Sequence, residues 1–412
     1  MEFQDIKQFQ KAHVWKDSQL VGVLERTPDG SYFEYNPDYF ANTQQPPLSF
    51  QISKGQQRTL SAGVNLHPFF AGLLPEGLRL HALVETMKTS ADDLFSLLLA
   101  SGAETIGDVS ITLGQGSPSS FQAQIDISNL AQEDFGKCLK QSLSYGSTIS
   151  KNSEASIPGV QEKISAAMIS LPVKSKKKKE SYILKLNPPD KPQLVQNENF
   201  FMHMAKACGL DVASVELVFD QKKEPGLLVK RFDRWWNKEK RESVKIHQED
   251  ACQFLNFYPA DKYRLSLREI ADGIWDLCDT PILEIAKLIR QVAFSYLIGN
   301  GDLHAKNISL MVDPQTHQVK LSPAYDLLST LPYGDTNMAL KMLGRDNHLK
   351  RAHFIEFGSK YQINPKAVDS ILDEISDNAA DWIKRCDEIG LPEKKIIFLK
   401  KMMQERREEW KD

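Results

Sequence analysis

Leu297-Ile298-Gly299-Asn300-Gly301-Asp302-Leu303-His304-Ala305-Lys306-Asn307-Ile308-Ser309-Leu310 is the stretch on which the reading of this chain turns. An apolar helix end runs into a glycine-containing turn crowded with polar groups and leaves it as a strand. Asp302 and Asn307, five residues apart across that turn, can face one cleft. Further on, Leu321-Ser322-Pro323-Ala324-Tyr325-Asp326-Leu327-Leu328-Ser329 sets Asp326 just beyond a short strand. Upstream, Lys185 alternates with Ile183 on a strand that ends at Asn187-Pro188-Pro189. A helix expected from about Asn197 to Cys208 carries Glu198 in its first turn, with Gly209 as its stop.

Lysine, glutamate, aspartate, asparagine and aspartate in that order are the parts of a protein kinase. Phosphoryl transfer asks for little covalent chemistry and much charge neutralisation, so a lysine, two oxygen ligands and a metal are what the site needs. In this pattern Asp302 is the catalytic base and Asn307 and Asp326 hold magnesium. Lys185 reaches the phosphates, with Glu198 as its ion-pair partner. Each part alone has a plainer explanation. An Asp or Asn in a turn commonly bonds locally, and His304 by itself reads as a structural histidine. The order of five parts is what points to chemistry. No G-x-G-x-x-G or G-x-x-x-x-G-K-[ST] loop precedes the lysine strand; the candidate is Ser156-Ile157-Pro158-Gly159-Val160-Gln161-Glu162-Lys163. Its glycine permits backbone N–H groups to approach phosphate and Lys163 adds positive charge, although an ordinary turn into a strand explains the same residues.

The 412 residues exceed what one small core needs, so two or three packed lobes are expected. Apolar residues at 41% and charged residues at 25% place the chain among globular proteins, and a net charge of −3 does not advertise nucleic-acid binding. No apolar run is long enough for a membrane helix, the N-terminus lacks a signal-peptide core, and the five cysteines (138, 208, 252, 278 and 386) form no CxxC pair. A cytoplasmic protein with core cysteines and no structural zinc is expected.

Alternating residues from 12 to 52, broken at Pro28-Asp29-Gly30, predict a small antiparallel unit, and helical spacing from Pro68 to Gly102 predicts two or three short helices. The Ser-rich segment 140–156 reads as a mobile connection. Ile164–Ile169 and Ser181–Leu186 are expected to pair as strands around a lysine-rich tip at Lys174–Lys179, which reads as a solvated tip rather than a partner contact. A strand from Val212 to Phe219, a turn at Glu224-Pro225-Gly226 and a strand Leu227–Phe232 follow. Trp235-Trp236 could stack on a base, but seals a lobe interface more simply. Beyond Asp250 the spacing is helical apart from the motif region, so a β-rich half meets an α-rich half near Asp233.

Across nearly its whole length the chain resembles the HipA family of bacterial toxin kinases. Val21-Gly22-Val23-Leu24 and Pro47-Leu48-Ser49 resemble the family's small N-terminal β subdomain, and Phe70–Gly77 and Ile106–Val109 its LLPEG and IGD segments. Gly159-Val160-Gln161-Glu162-Lys163 is similar to its G-x-Q-E-K phosphate loop and Ile183-Leu184-Lys185 to its lysine strand. Val229–Arg234 resembles the R-F-D-R segment after the adenine-contacting hinge, His247–Asp250 the Q-E-D segment of the cleft, and Asp302–Asn307 the D-x-H-A-K-N hexapeptide. The resemblance implies an α+β, two-lobed protein-kinase-like fold. Residues 1–110 would form the extra N-terminal subdomain, 111–233 the rest of a β-rich lobe, and 234–412 an all-α C-terminal lobe.

It also implies ATP and Mg2+ as cofactors. Contacts to ATP would come from Gly159, Val160, Gln161, Glu162, Lys163, Lys185, Lys230, Phe232, His304, Lys306, Asn307, Tyr325 and Asp326. Ser156, with Ser153 as the alternative, falls at the family's autophosphorylation position, where about two negative charges beside a phosphate site would favour an inactive state. The implied acceptor is a protein hydroxyl, such as that of an aminoacyl-tRNA synthetase. The implied partners are a HipB-like helix-turn-helix antitoxin and, through it, operator DNA, with no membrane. Two other readings stand beside this one. A small-molecule phosphotransferase of the aminoglycoside or choline kinase type shares the Asp, Asn, Asp order, and a catalytically dead corepressor would need the set to be idle.

Overall fold

The computed structural model describes residues 3–62, 65–114, 127–137, 169–175, 179–188, 190–237, 239 and 241–411. Ser153, Ser156, the Gly159–Lys163 loop, Ile164–Met168 and Cys138 lie outside the described residues, as do Lys176–Lys178.

The N-terminal module begins with β1 (Lys11–Lys16), β2 (Gln19–Thr27) and β3 (Gly30–Tyr35), the antiparallel unit that the alternation predicts. A short helix α1 (Pro37–Ala41) follows, and β4 (Arg58–Ala62) extends the sheet beyond β3. Three helices, α2 (Pro68–Gly72), α3 (Gly77–Met87) and α4 (Leu94–Ser101), then cover the sheet before β5 (Val109–Thr112) closes it alongside β1. Val14, Val21, Leu24, Phe33, Phe70 and Leu98 lie in its own apolar core. The alternating strands have one face to bury, and the helices supply the cover.

The next sheet has the order β6-β7-β9-β8, with β6 at Ile169–Ser175, β7 at Glu180–Leu186, β8 at Val215–Phe219 and β9 at Pro225–Lys230. Three positions differ from the pattern-based expectation. The strand paired with β7 is Ile169–Ser175 rather than Ile164–Ile169, so Lys174 and Ser175 belong to the strand. Pro172 argues against a strand when the sequence is read alone, but β6 is at the sheet edge, where a missing N–H is tolerated. The turn before β9 spans Asp220–Glu224, held by Asp220 Oδ1 accepting from the N–H groups of Lys222 and Glu224, and Pro225 already opens the strand. Val212 makes an isolated parallel bridge to Ala324 instead of starting β8.

Helix α5 (Leu194–Ala207) starts three residues earlier than the spacing suggests, so Glu198 sits in its second turn. Its N-cap residue Gln193 is left-handed and makes no side-chain cap bond; the free Val195 N–H is taken by Asn187 Oδ1 at 2.9 Å. A start satisfied from eight residues away leaves no local signature.

The C-terminal half is mainly rather than wholly helical. Helices α6 (Ala251–Phe254), α7 (Leu267–Leu277), α8 (Pro281–Ile298), α9 (Arg351–Ser359), α10 (Pro365–Lys384) and α11 (Glu393–Glu409) pack around Ile285, Leu288, Phe294, Phe354, Leu372 and Trp410. Set among them are a hairpin, β10 (Arg234–Asn237) with β11 (Glu242–Lys245), and a three-stranded sheet of β12 (Gln248–Asp250), β13 (Ser309–Val312) and β14 (Val319–Leu321). These short strands flank the polar motifs and are too brief for a period of two to register. Trp236 on β10 lies under the Lys179 ammonium, 4.7 Å from the ring centre. Cys208, Cys252, Cys278 and Cys386 are buried free thiols, and among the described residues no helix is long and apolar enough to cross a membrane.

Candidate active site

Lys185 lies on β7, between two other strands of its sheet, which fixes its side-chain direction. Its ammonium meets Glu198 of α5 at 2.6 and 2.8 Å and Asp326 Oδ1 at 2.5 Å, a bond between partners 141 residues apart. Glu198 is only 1% exposed and Lys185 7%, whereas Asp326 keeps 26% of its side chain open. Burial would lower the lysine's pKa, but Asp326 and then Glu198 outweigh it and hold the ammonium charged. Burial raises the Glu198 carboxyl, with Lys185 opposing the rise and Asp326 adding to it. Two carboxylates share one cation, and Asp326 is the more open of them.

Asp326 itself has φ +57, an unusual region for a residue with a side chain. Strain of this sort persists where the surroundings hold it. Tyr325 anchors one flank: its hydroxyl donates to Lys306 O at 2.6 Å and lies 2.7 Å from Ser309 Oγ. On the other flank, Asn197 bonds both the N–H and the C=O of Ser329, each at 2.9 Å.

The catalytic-loop candidate leaves α8 through left-handed Gly299. Gly301 donates to Thr330 Oγ1 at 2.7 Å, and a Cβ there would stand 2.7 Å from Asn337 O, so only glycine fits. Asp302 N–H is held by Asn300 Oδ1 at 3.0 Å, and its Oδ1 accepts from Tyr263 at 3.0 Å. Burial and the nearby Asp302 carboxylate raise the Tyr263 phenol, so it stays a donor. Asn307 Oδ1 takes the His304 N–H at 3.1 Å and its Nδ2 donates to Asp326 Oδ2 at 3.2 Å. His304 is buried against Tyr263, ring centres 5.1 Å apart, and burial lowers its pKa to about 4, which keeps it neutral.

Lys185, Glu198, Asp302, Asn307 and Asp326 thus belong to one connected region. Phe232 packs on Tyr325, with ring centres 5.8 Å apart. Lys230, by contrast, pairs with Glu180 across the strands at 2.5 Å. Lys306 is tied by its ammonium to Asp250. Asp326 and Asn307 carry the carboxylate and amide oxygens that magnesium takes when it keeps its other positions for phosphates and water. Because Asn307 turns Nδ2 toward Asp326 and Oδ1 toward the His304 N–H, its amide would turn over to ligate beside Asp326. The surplus of Asp302, Glu198 and Asp326 over the single Lys185 ammonium calls for added positive charge, so these residues fit the metal.

The Val229–Arg234 and His247–Asp250 segments also make contacts beyond the candidate site, while Asp250 of the second holds Lys306 within it. Arg231 and Arg234 both bond Asp233 and Glu104, and Asp233 Oδ2 also accepts the Gly107 N–H at 2.9 Å. His247 lies between Asp108 and Glu249, at 2.8 and 2.9 Å. Both sets fasten the N-terminal module to the rest of the chain. Sequence reasoning missed Tyr263 and Lys262, and it gave no site role to Asn197, named only as a helix start, or to Glu76, quoted only within the LLPEG-like segment.

Two family models match the chain: HipA N-terminal domain over residues 12–112 and HipA-like C-terminal domain over residues 155–383. The chain is 28% identical over 402 residues to a protein of Sinorhizobium fredii named as a kinase, covering 92% of this chain and 90% of that one. It is 26% identical over 297 residues to the serine/threonine-protein kinase toxin HipA of Shewanella oneidensis, covering 66% and 65%. Among solved structures, the toxin–antitoxin complex of HipA, HipB and operator DNA from Shewanella oneidensis MR-1 matches with a TM-score of 0.70 and 21% identity over 97% of both chains. The shared fold is the two-lobed α+β kinase-like one.

Proposed function

Because the chain belongs to the HipA family, we propose that it is an ATP-dependent Ser/Thr protein kinase with Asp302 as base and Lys185 as phosphate anchor. The observation that carries this reading is the Lys185 ammonium bonded at once to Glu198 and Asp326, with Asn307 against Asp326. Lys185 draws the ATP phosphates toward the cleft, and Asp302 accepts the proton of the attacking hydroxyl. The oxygen–phosphorus bond to the acceptor forms as the bridge to ADP breaks. Asn307 and Asp326 would hold magnesium, which would supply charge neutralisation on the phosphates. Phe232, Tyr325, His304 and Lys306 line the same region, and Gly159–Lys163 would complete the phosphate cradle.

The same reading takes Ser156, or Ser153, as the residue whose autophosphorylation switches the kinase off. The acceptor is a protein hydroxyl, as on an aminoacyl-tRNA synthetase. A HipB-like antitoxin is the partner, bringing operator DNA with it, and the setting is the cytoplasm.

Incubating purified protein with γ-labelled ATP tests the chemistry. Wild type labels itself on a serine without any added acceptor, and Asp302→Asn lowers the rate by about 10²–10⁴-fold. Equal labelling by both proteins overturns the assignment of the base. Transfer only to added small-molecule acceptors favours the small-molecule phosphotransferase.

A further inference from the structure

Glu76 stands at the start of α3, in the N-terminal module, yet its carboxylate reaches the catalytic loop. Oε2 is 2.9 Å from the Lys262 ammonium and Oε1 is 3.6 Å from that of Lys306. Lys306 is bound on its other side by Asp250. Two carboxylates and two ammonium groups make a neutral cluster, with Lys262, Lys306 and Asp250 at 13%, 12% and 10% exposure and Glu76 at its rim at 36%. Glu76 is the carboxylate paired with Lys262 among the described residues.

The chain is built to bring Glu76 there. Helix α2 lies on α6 so closely that a Cβ on Gly72 would fall 2.5 Å from Gln253 Cγ. Gln253 donates from Nε2 to Phe69 O at 2.9 Å, while its Oε1 accepts the Asp250 N–H at 3.1 Å. One amide therefore joins the N-terminal module to the aspartate that holds Lys306. After Glu76, Gly77 has φ +54, which turns the chain into α3.

Both lysines act on the loop. The Lys262 carbonyl accepts the Ala305 N–H at 3.0 Å, and the adjoining Tyr263 donates to Asp302. Lys306 lies within the loop, and its carbonyl accepts from Tyr325, next to Asp326. We propose that Glu76 is a positioning residue of the active site, through which the N-terminal module holds Lys262 and Lys306 and so sets Asp302 and Asn307 for transfer. The charge state agrees: burial would raise the Glu76 carboxyl, but Lys306 and Lys262 hold it well below the usual carboxylate range. The proposal rests on the kinase reading for its catalytic consequence and on geometry alone for its effect on the loop.

Glu76→Gln keeps the shape of the side chain and removes its charge. Hydrogen exchange of the full chain reads the loop directly. We expect the amides of 303–307 to exchange about ten times faster in Glu76→Gln, with protection in the β1–β5 sheet unchanged. Lys262→Met, which breaks the pair from the other side, should loosen the same amides. In labelled-ATP turnover, kcat should fall about tenfold with the KM for ATP held within about twofold. Unchanged loop exchange in both variants overturns the proposal, as does loosening that spreads over the whole N-terminal module in both. If wild type turns over no ATP but the loop loosens, the kinase reading fails and the positioning role stands.

Discussion

His247 is held between two carboxylates, Asp108 at 2.8 Å and Glu249 at 2.9 Å, with the Lys16 ammonium 2.8 Å from its Nδ1 and Phe50 edge-on to its ring. The Phe50 N–H also donates to Glu249 Oε1 at 2.7 Å. Burial and Lys16 oppose protonation, but Asp108 and Glu249 outweigh them and raise the imidazole's pKa above its ordinary value. Charged, His247 brings this buried set of two acids and one lysine to neutrality; uncharged, it leaves a net negative charge. A raised pKa in the folded state means that the stabilisation is complete below the ordinary imidazole value of about 6.5 and is lost as pH rises through the folded value. The thermal midpoint should therefore fall as pH rises beyond the ordinary imidazole value, and His247→Gln should lower it at pH below that value while flattening the dependence. A variant with the wild-type slope would show that another group titrates. At this scale the sequence was informative about single roles: Lys185, Asp302, Asn307 and Asp326 stood out by type and order. It was silent about the left-handed backbone at Asp326, which Tyr325 and Asn197 brace on either side and Lys185 and Asn307 bond directly.

Helix α5 does more than carry Glu198. Asn197, one residue before it and fully buried, ties the helix to the segment that follows Asp326 by bonding both backbone groups of Ser329. Asn197→Ala strands a buried donor and a buried acceptor, each of which costs about 1–3 kcal/mol. Urea denaturation should register a loss of about 2–4 kcal/mol. Labelled-ATP turnover should fall as well, since Glu198 and Asp326 lose their common brace. A stability loss below about 0.5 kcal/mol would mean that water replaces the amide. Many elements were legible, because strands β1–β3 alternate and helices α7 and α10 carry a strong apolar face. The exceptions have physical causes. Pro172 is harmless only at a sheet edge, and α5 begins on a cap supplied by Asn187 from outside the helix. The three-residue strand β12 exists because it pairs with β13 far along the chain, and β14 completes that sheet as the hairpin partner of β13.

The β7–β9 strands and α5 share one apolar core with the C-terminal helices, whereas the N-terminal module keeps its own and is fastened to them by charged joints. Arg231, Arg234, Asp233 and Glu104 form one, Lys16, Asp108, His247 and Glu249 a second, and Glu76 with Lys262 and Lys306 a third. Asp233 is the centre of the first, and two arginines and the Gly107 N–H hold its carboxyl far below the usual range against the pull of burial. Asp233→Ala leaves these donors buried without their acceptor, which costs about 3–5 kcal/mol. We expect denaturation to become biphasic, with the N-terminal module melting first; a single transition within about 1 kcal/mol of wild type would show that the joint is not needed for docking. The order of the candidate catalytic residues, the two periodicities and the family resemblance were all legible in the sequence, since each depends on residue type and spacing. The tertiary structure alone decided which charges meet, as Lys185 with Asp326 across 141 residues or Lys16 with His247 across 231. A charge's energy depends on its burial and its partner, and both are set when the lobes dock, not by neighbours along the chain.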